Sequence, residues 1–72
     1  MRSRFDEQLS LLNRKMIEMG AECESIIAQS AKALLEGNTA GICKTKEQGH
    51  KIDQMEREIE SICIKLLLQQ QQ

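Results

Sequence analysis

The sequence contains no proline, no tryptophan, no tyrosine and no valine, and its one aromatic residue is Phe5. β-Branched residues reduce to eight isoleucines and the threonines Thr39 and Thr45. Sheets draw on valine, threonine and aromatic side chains, so this composition argues against β structure. No apolar run approaches the ~20 residues that a membrane span requires. The basic start Met1-Arg2-Ser3-Arg4 runs into Phe5-Asp6-Glu7 where a signal peptide would carry its apolar core, so the chain reads as cytoplasmic. Arg2 and Arg4 alone are too few charges to mark a membrane surface. No Cys-x-x-Cys pair is present, which argues against a zinc knuckle. The three cysteines, Cys23, Cys43 and Cys63, are an odd set, unlike the even sets of small secreted domains, and read as reduced thiols. There is no glycine-rich phosphate loop, no Ser-His-Asp set within reach and no Cys-His pairing, so no enzyme is expected. A net charge of −1 and the want of aromatic platforms also speak against nucleic-acid binding.

What is present points to helices. The chain is 40% hydrophobic and 29% charged, too apolar for a disordered segment. It is rich in Leu, Ile, Met, Glu, Gln and Lys, which suit long helices when proline is absent. Gly37-Asn38 makes the one clear break, pairing a residue that favours the position just past a helix end with one that favours an N-cap. Ser3 and Asp6 resemble a capping box. The expected elements are helix 1 over 4–36, a turn at 37–38, and helix 2 over 39–69, with Gln69 to Gln72 as a fraying continuation.

Apolar residues recur in steps of three and four. Helix 1 carries Phe5, Leu9, Leu12, Met16, Met19, Cys23, Ile26, Ser30 and Ala33, and helix 2 carries Thr45, Gln48, Ile52, Met55, Ile59, Ile62 and Leu66. This is the spacing of a heptad seam. If the chain folds back at the break, facing residue numbers sum to about 75. The layers then read Ala33 with Ile42, Ser30 with Thr45, Ile26 with Gln48 or Gly49, Cys23 with Ile52 and Met19 with Met55. They continue as Met16 with Ile59, Leu12 with Ile62 and Leu9 with Leu66. Nearly all match apolar to apolar, the methionines serving as core filler, and no two cysteines come close enough for a disulfide. The fold class is therefore all-α, an antiparallel helical hairpin.

A second apolar stripe remains uncovered by this pairing: Ile17, Ile27, Ala31 and Leu34 with Gly20 on helix 1, and Ile42, Cys63 and Leu67 on helix 2. Exposed stripes of this kind mark contact sites. Two covers are expected: a third helix, completing a three-helix bundle, or a second copy, giving a homodimeric four-helix bundle.

One acidic constellation stands out. Asp53, Glu56 and Glu60 share a helix face, and the register puts Glu22 across from Asp53, with Glu18 near Glu56 and Arg57. Converging carboxylates suit a divalent ion such as iron, zinc or manganese. The other reading of the same residues is a solvated acidic face balanced by Lys51 and Arg57. His50, the one histidine, is a further candidate ligand beside Asp53.

Four stretches carry a resemblance. They are Met-Arg-Ser-Arg-Phe-Asp-Glu-Gln-Leu at the start, Met19-Gly20-Ala21, Ala33-Leu34-Leu35-Glu36-Gly37-Asn38, and Lys51-Ile52-Asp53-Gln54-Met55-Glu56-Arg57-Glu58-Ile59-Glu60. Together they resemble the PhoU family, accessory proteins of bacterial phosphate transport. The resemblance implies two similar three-helix bundles, of which this chain looks like the first two helices of the first, truncated before a third. It implies partners as well: the cytoplasmic side of the phosphate ABC transporter and a sensor histidine kinase, through which phosphate-starvation genes are repressed. It further implies a metal held through an acidic residue four before an Asp. Asp53 fits the second position, but Gly49 stands in the first. The alternative is a self-associating structural hairpin, or a truncated copy without a signalling role, with metal binding as a further option.

Overall fold

The computed structural model describes residues 3–70. Arg2 of the basic start and Gln71 and Gln72 of the glutamine tail lie outside the described residues. Helix α1 spans Arg4–Glu36. It opens on Ser3, whose extended backbone turns its Oγ to accept from the Asp6 amide at 3.1 Å. Asp6 and Glu7 in the first turn complement the positive end of the helix dipole.

The helix is stopped by Gly37, which adopts the left-handed conformation with φ 63°. Its amide donates to the Leu34 carbonyl, and the Asn38 amide donates to the Ala33 carbonyl at 3.0 Å. These two bonds form a Schellman motif and satisfy carbonyls that the helix end would leave orphaned. Asn38 then turns its Oδ1 to the Ala40 amide at 3.0 Å, and the Ile42 amide donates to the Thr39 carbonyl. Helix α2 spans Gly41–Gln70. It begins two residues later than the sequence suggests, because Asn38 caps a tight turn through Thr39 and Ala40 before the regular ladder starts.

The two helices lie antiparallel, with no strand among the described residues. The molecule measures 54 × 19 × 12 Å, two helices wide and one helix thick. The register is the expected one. A Cβ at Gly41 would meet Ala33 Cβ at 3.6 Å, and one at Gly49 would meet Ile26 Cδ1 at 3.9 Å. At the far end Phe5, Leu9 and Leu12 border the same groove as Cys63, Leu66 and Gln70.

A slab this thin buries little. Only Ile62 and Leu66 are buried among the described residues, and the rest of the α2 seam, with most of the α1 seam, is half-covered. Two seam residues depart from expectation: Leu9 and Met16 are exposed. Leu9 borders the open-end groove that α2 also lines, so the second helix flanks it without covering it. Cys63, expected on the uncovered flank, is half-buried at the seam's edge. Polar residues enter near the turn. Ser25 Oγ accepts from both Gln29 and Gln48 at 3.2 Å, while Gln48 Oε1 is buried without a partner.

Candidate functional site

The hairpin has two unlike edges. Along one, ion pairs cross between the helices: Lys15 with Glu58, and Lys51 with Glu22 at 2.9 Å. Both pairs are partly solvated, so each contributes at most about 1 kcal/mol. The sequence reading missed this edge. Its signal was there, because 15 and 58 share the sum 73 with 22 and 51, and each pair joins opposite charges.

The other edge is apolar at both ends. Near the turn, a groove of about 320 Å³ is bordered by Ser30, Ala33, Leu34, Ile42 and Thr45. Near the open end, a groove of about 300 Å³ is bordered by Phe5, Leu9, Cys63, Leu66 and Leu67. Ile17, Ile27, Ala31, Leu34, Ile42 and Leu67, named from the sequence as an uncovered stripe, are all exposed, and Leu34 is 84% exposed. Leu35 on α1, and Ile64 and Leu68 on α2, are exposed apolar residues outside that stripe.

The acidic constellation is arranged differently from its sequence reading. Asp53, Glu56, Glu60 and His50 are exposed along α2, and Glu18 is exposed on α1. Glu22 is not gathered with them: its Oε1 accepts from Lys51 Nζ. The sum of residue numbers fixes the level along the hairpin but not the edge. Lys51 and Asp53 are two residues apart, about 200° round the helix, so one faces Glu22 and the other faces away. Among the described residues no group of three or more His, Cys, Asp or Glu side chains is placed to hold a metal ion. With glycine at position 49 and Glu22 drawn to the opposite edge, the residues present do not fit the metal site that the resemblance implies. Cys23, Cys43 and Cys63 are free thiols.

No described helix is long and apolar enough to cross a membrane. Comparison with known proteins finds no match among curated proteins and none among solved structures. A family model does match, that of the PhoU domain, over residues 16–72. The match covers the seam from Met16 onward, the turn, the whole of α2 and both of the grooves except for Phe5, Leu9 and Leu12. On that extent the chain belongs to the PhoU domain family, a family of regulatory rather than catalytic proteins in phosphate transport.

Proposed function

We propose that this chain is a regulatory module of bacterial phosphate uptake that works by protein–protein contact. It would act at the cytoplasmic side of the phosphate transporter and on a sensor histidine kinase, holding phosphate-starvation genes off when phosphate is plentiful. The observation that carries the reading is the PhoU domain match over residues 16–72. The surface supports it: a slab with one long exposed apolar edge offers a contact surface for other protein. Deleting the gene in its host and following a phosphate-starvation reporter in phosphate-rich medium tests the proposal. Derepression that is reversed by the wild-type chain supports it, and an unchanged reporter counts against it.

A further inference from the structure

We propose that the apolar edge takes a basic amphipathic helix presented by a different protein chain. The inference rests on the reading of this chain as a module that works by protein contact, and it adds the chemistry of that contact. On α1 the exposed residues of the edge are Leu9, Met16, Ile27 and Leu34, with Gly20 between them. On α2 the ends of the edge are apolar and its middle is acidic. Ile42 borders the groove by the turn, and Glu56 follows it by two heptads on the same row. Leu67 borders the groove at the open end, and Glu60 and Asp53 precede it by one and two heptads on the neighbouring row. Residues seven apart keep nearly the same side of a helix, so these three carboxylates stand between the two grooves, along the α2 flank of the edge. Glu24 adds a fourth from α1, four residues after Gly20 and three before Ile27. All four are exposed.

The cations lie mostly elsewhere. Lys15 and Lys51 cross to Glu58 and Glu22 on the other edge, and Lys44 borders the same polar groove there as Lys51. Lys46, seven residues before Asp53, is the exception, and it sits at the turn end. The hairpin therefore separates its charge, with the apolar edge carrying the negative side.

That separation selects among possible covers. Nucleic acid or an anionic lipid surface would set phosphates against the four carboxylates, and like charges across a contact are unfavourable. One metal ion would need the carboxylates gathered, whereas Asp53 and Glu60 are about 10 Å apart along α2, and among the described residues no group of three or more is placed to hold an ion. A neutral helix would press the carboxylates into a dry contact without partners, which costs free energy. A helix with apolar residues in steps of three and four, and Lys or Arg on one flank of its middle turns, matches both the grooves and the carboxylates. Leu9 and Leu34 are about 38 Å apart along α1, so the partner helix spans about seven turns. Near the middle nothing obstructs its approach, because a Cβ at Gly20 would meet no atom within 4 Å.

Three synthetic helical peptides of about seven turns test the proposal. They share one apolar stripe and differ only at three flanking positions of the middle turns, which carry Arg, Gln or Glu. Binding to the full chain is read by fluorescence anisotropy. The Arg peptide should bind in the micromolar range, about tenfold or more tighter than the Gln peptide, because each exposed charge pair contributes up to about fivefold. The Glu peptide should bind more weakly than either. The preference should shrink in half-molar salt, where screening is short-ranged. The triple change Asp53→Asn, Glu56→Gln and Glu60→Gln, at exposed positions that leave the seam alone, should erase the preference for Arg and keep the affinity for the Gln peptide. Glu47→Gln, beside Lys44 and Lys51 on the other edge, should leave the preference unchanged. Ile27→Ser, at a side chain 67% exposed in the hairpin, should weaken all three peptides alike. Equal affinities, or a preference that survives the triple change, overturn the proposal. So does an absence of peptide binding up to hundred-micromolar chain, whether a second copy or phosphatidylglycerol vesicles then take the edge. These measurements use the purified chain, so their failure leaves the reporter assay, and with it the regulatory reading, to be decided separately.

Discussion

Replacing glycine by alanine at two positions of this hairpin should change stability in opposite directions. At Gly37 the backbone is left-handed, with φ 63° and ψ 29°. There a Cβ collides with its own carbonyl, and the conformation costs an L-residue about 1–2 kcal/mol. The strain cannot be relieved by rotating the backbone without breaking the bonds to the Ala33 and Leu34 carbonyls that end α1. At Gly49 the backbone is interior helix, and the new Cβ would meet Ile26 Cδ1 at 3.9 Å, an ordinary contact. Alanine is favoured over glycine in a helix interior by about 0.8–1 kcal/mol. The two variants, identical in the atoms they add, should therefore differ by about 2–3 kcal/mol. In a chain of this size 1 kcal/mol moves Tm by roughly 4–8 °C, so their melting curves should stand on the order of 10–20 °C apart, on either side of wild type. Circular dichroism melts at one fixed chain concentration read this directly, since association would otherwise shift Tm. A Gly37→Ala chain as stable as wild type would mean that the reversal is not made by a left-handed residue there. A destabilised Gly49→Ala chain would mean that the helices approach more closely at Ile26 than the structure shows.

Gln48→Leu should stabilise the chain by about 1–2 kcal/mol in a denaturant titration, because it removes a buried carbonyl with no partner while Ser25 keeps its bond from Gln29. Leu66→Ala should cost about 2–5 kcal/mol, as Leu66 is buried. Leu35→Ala, at a side chain 89% exposed, should stay within about 0.5 kcal/mol in the same assay. Lys15→Met should cost less than about 1 kcal/mol, and the loss should fade in molar salt, where screening removes what a partly solvated ion pair contributes. In thiol labelling Cys43, which is exposed, should react ahead of the half-buried Cys23 and Cys63.

The hairpin was legible because two independent signals agreed. The break at Gly37-Asn38 located the reversal, and the seams on either side matched layer for layer about it. Helix α1 ends where the spacing and the glycine place its end. The start of α2 was harder, because Thr39 and Ala40 are acceptable helix residues and only the bond from Asn38 Oδ1 shows that they form a turn. The edges were harder still. Residue sums put Glu22 level with both Lys51 and Asp53, and choosing between them takes the angle about the helix axis as well as the height along it. The acidic constellation was read from height alone, so Glu22 was grouped with carboxylates that lie beyond the opposite edge. The exposed stripe suffered less from this, because its residues were named by their position round each helix rather than by a facing partner.

The thinness of the slab has a consequence for how the chain holds together in time. Among the described residues the two that are buried, Ile62 and Leu66, lie at the end farthest from the turn, opposite Leu12 and Leu9 and about fifty residues away along the chain. The turn end has a good stop signal but loose packing, with an open groove and polar seam residues. Most hairpins close beside the turn and fray at the tips. Here the reward for closure comes late, after a long loop has been drawn together. That delay is affordable, because loop entropy grows only logarithmically and the longer closure costs roughly 1–2 kcal/mol more than a short one. Amide exchange should accordingly be slowest around Leu12 and Ile62 and faster around Ala33 and Thr45, since local opening follows the density of buried contacts. The segment next to the turn is then the one that gives way first, and it opens without separating the chain ends.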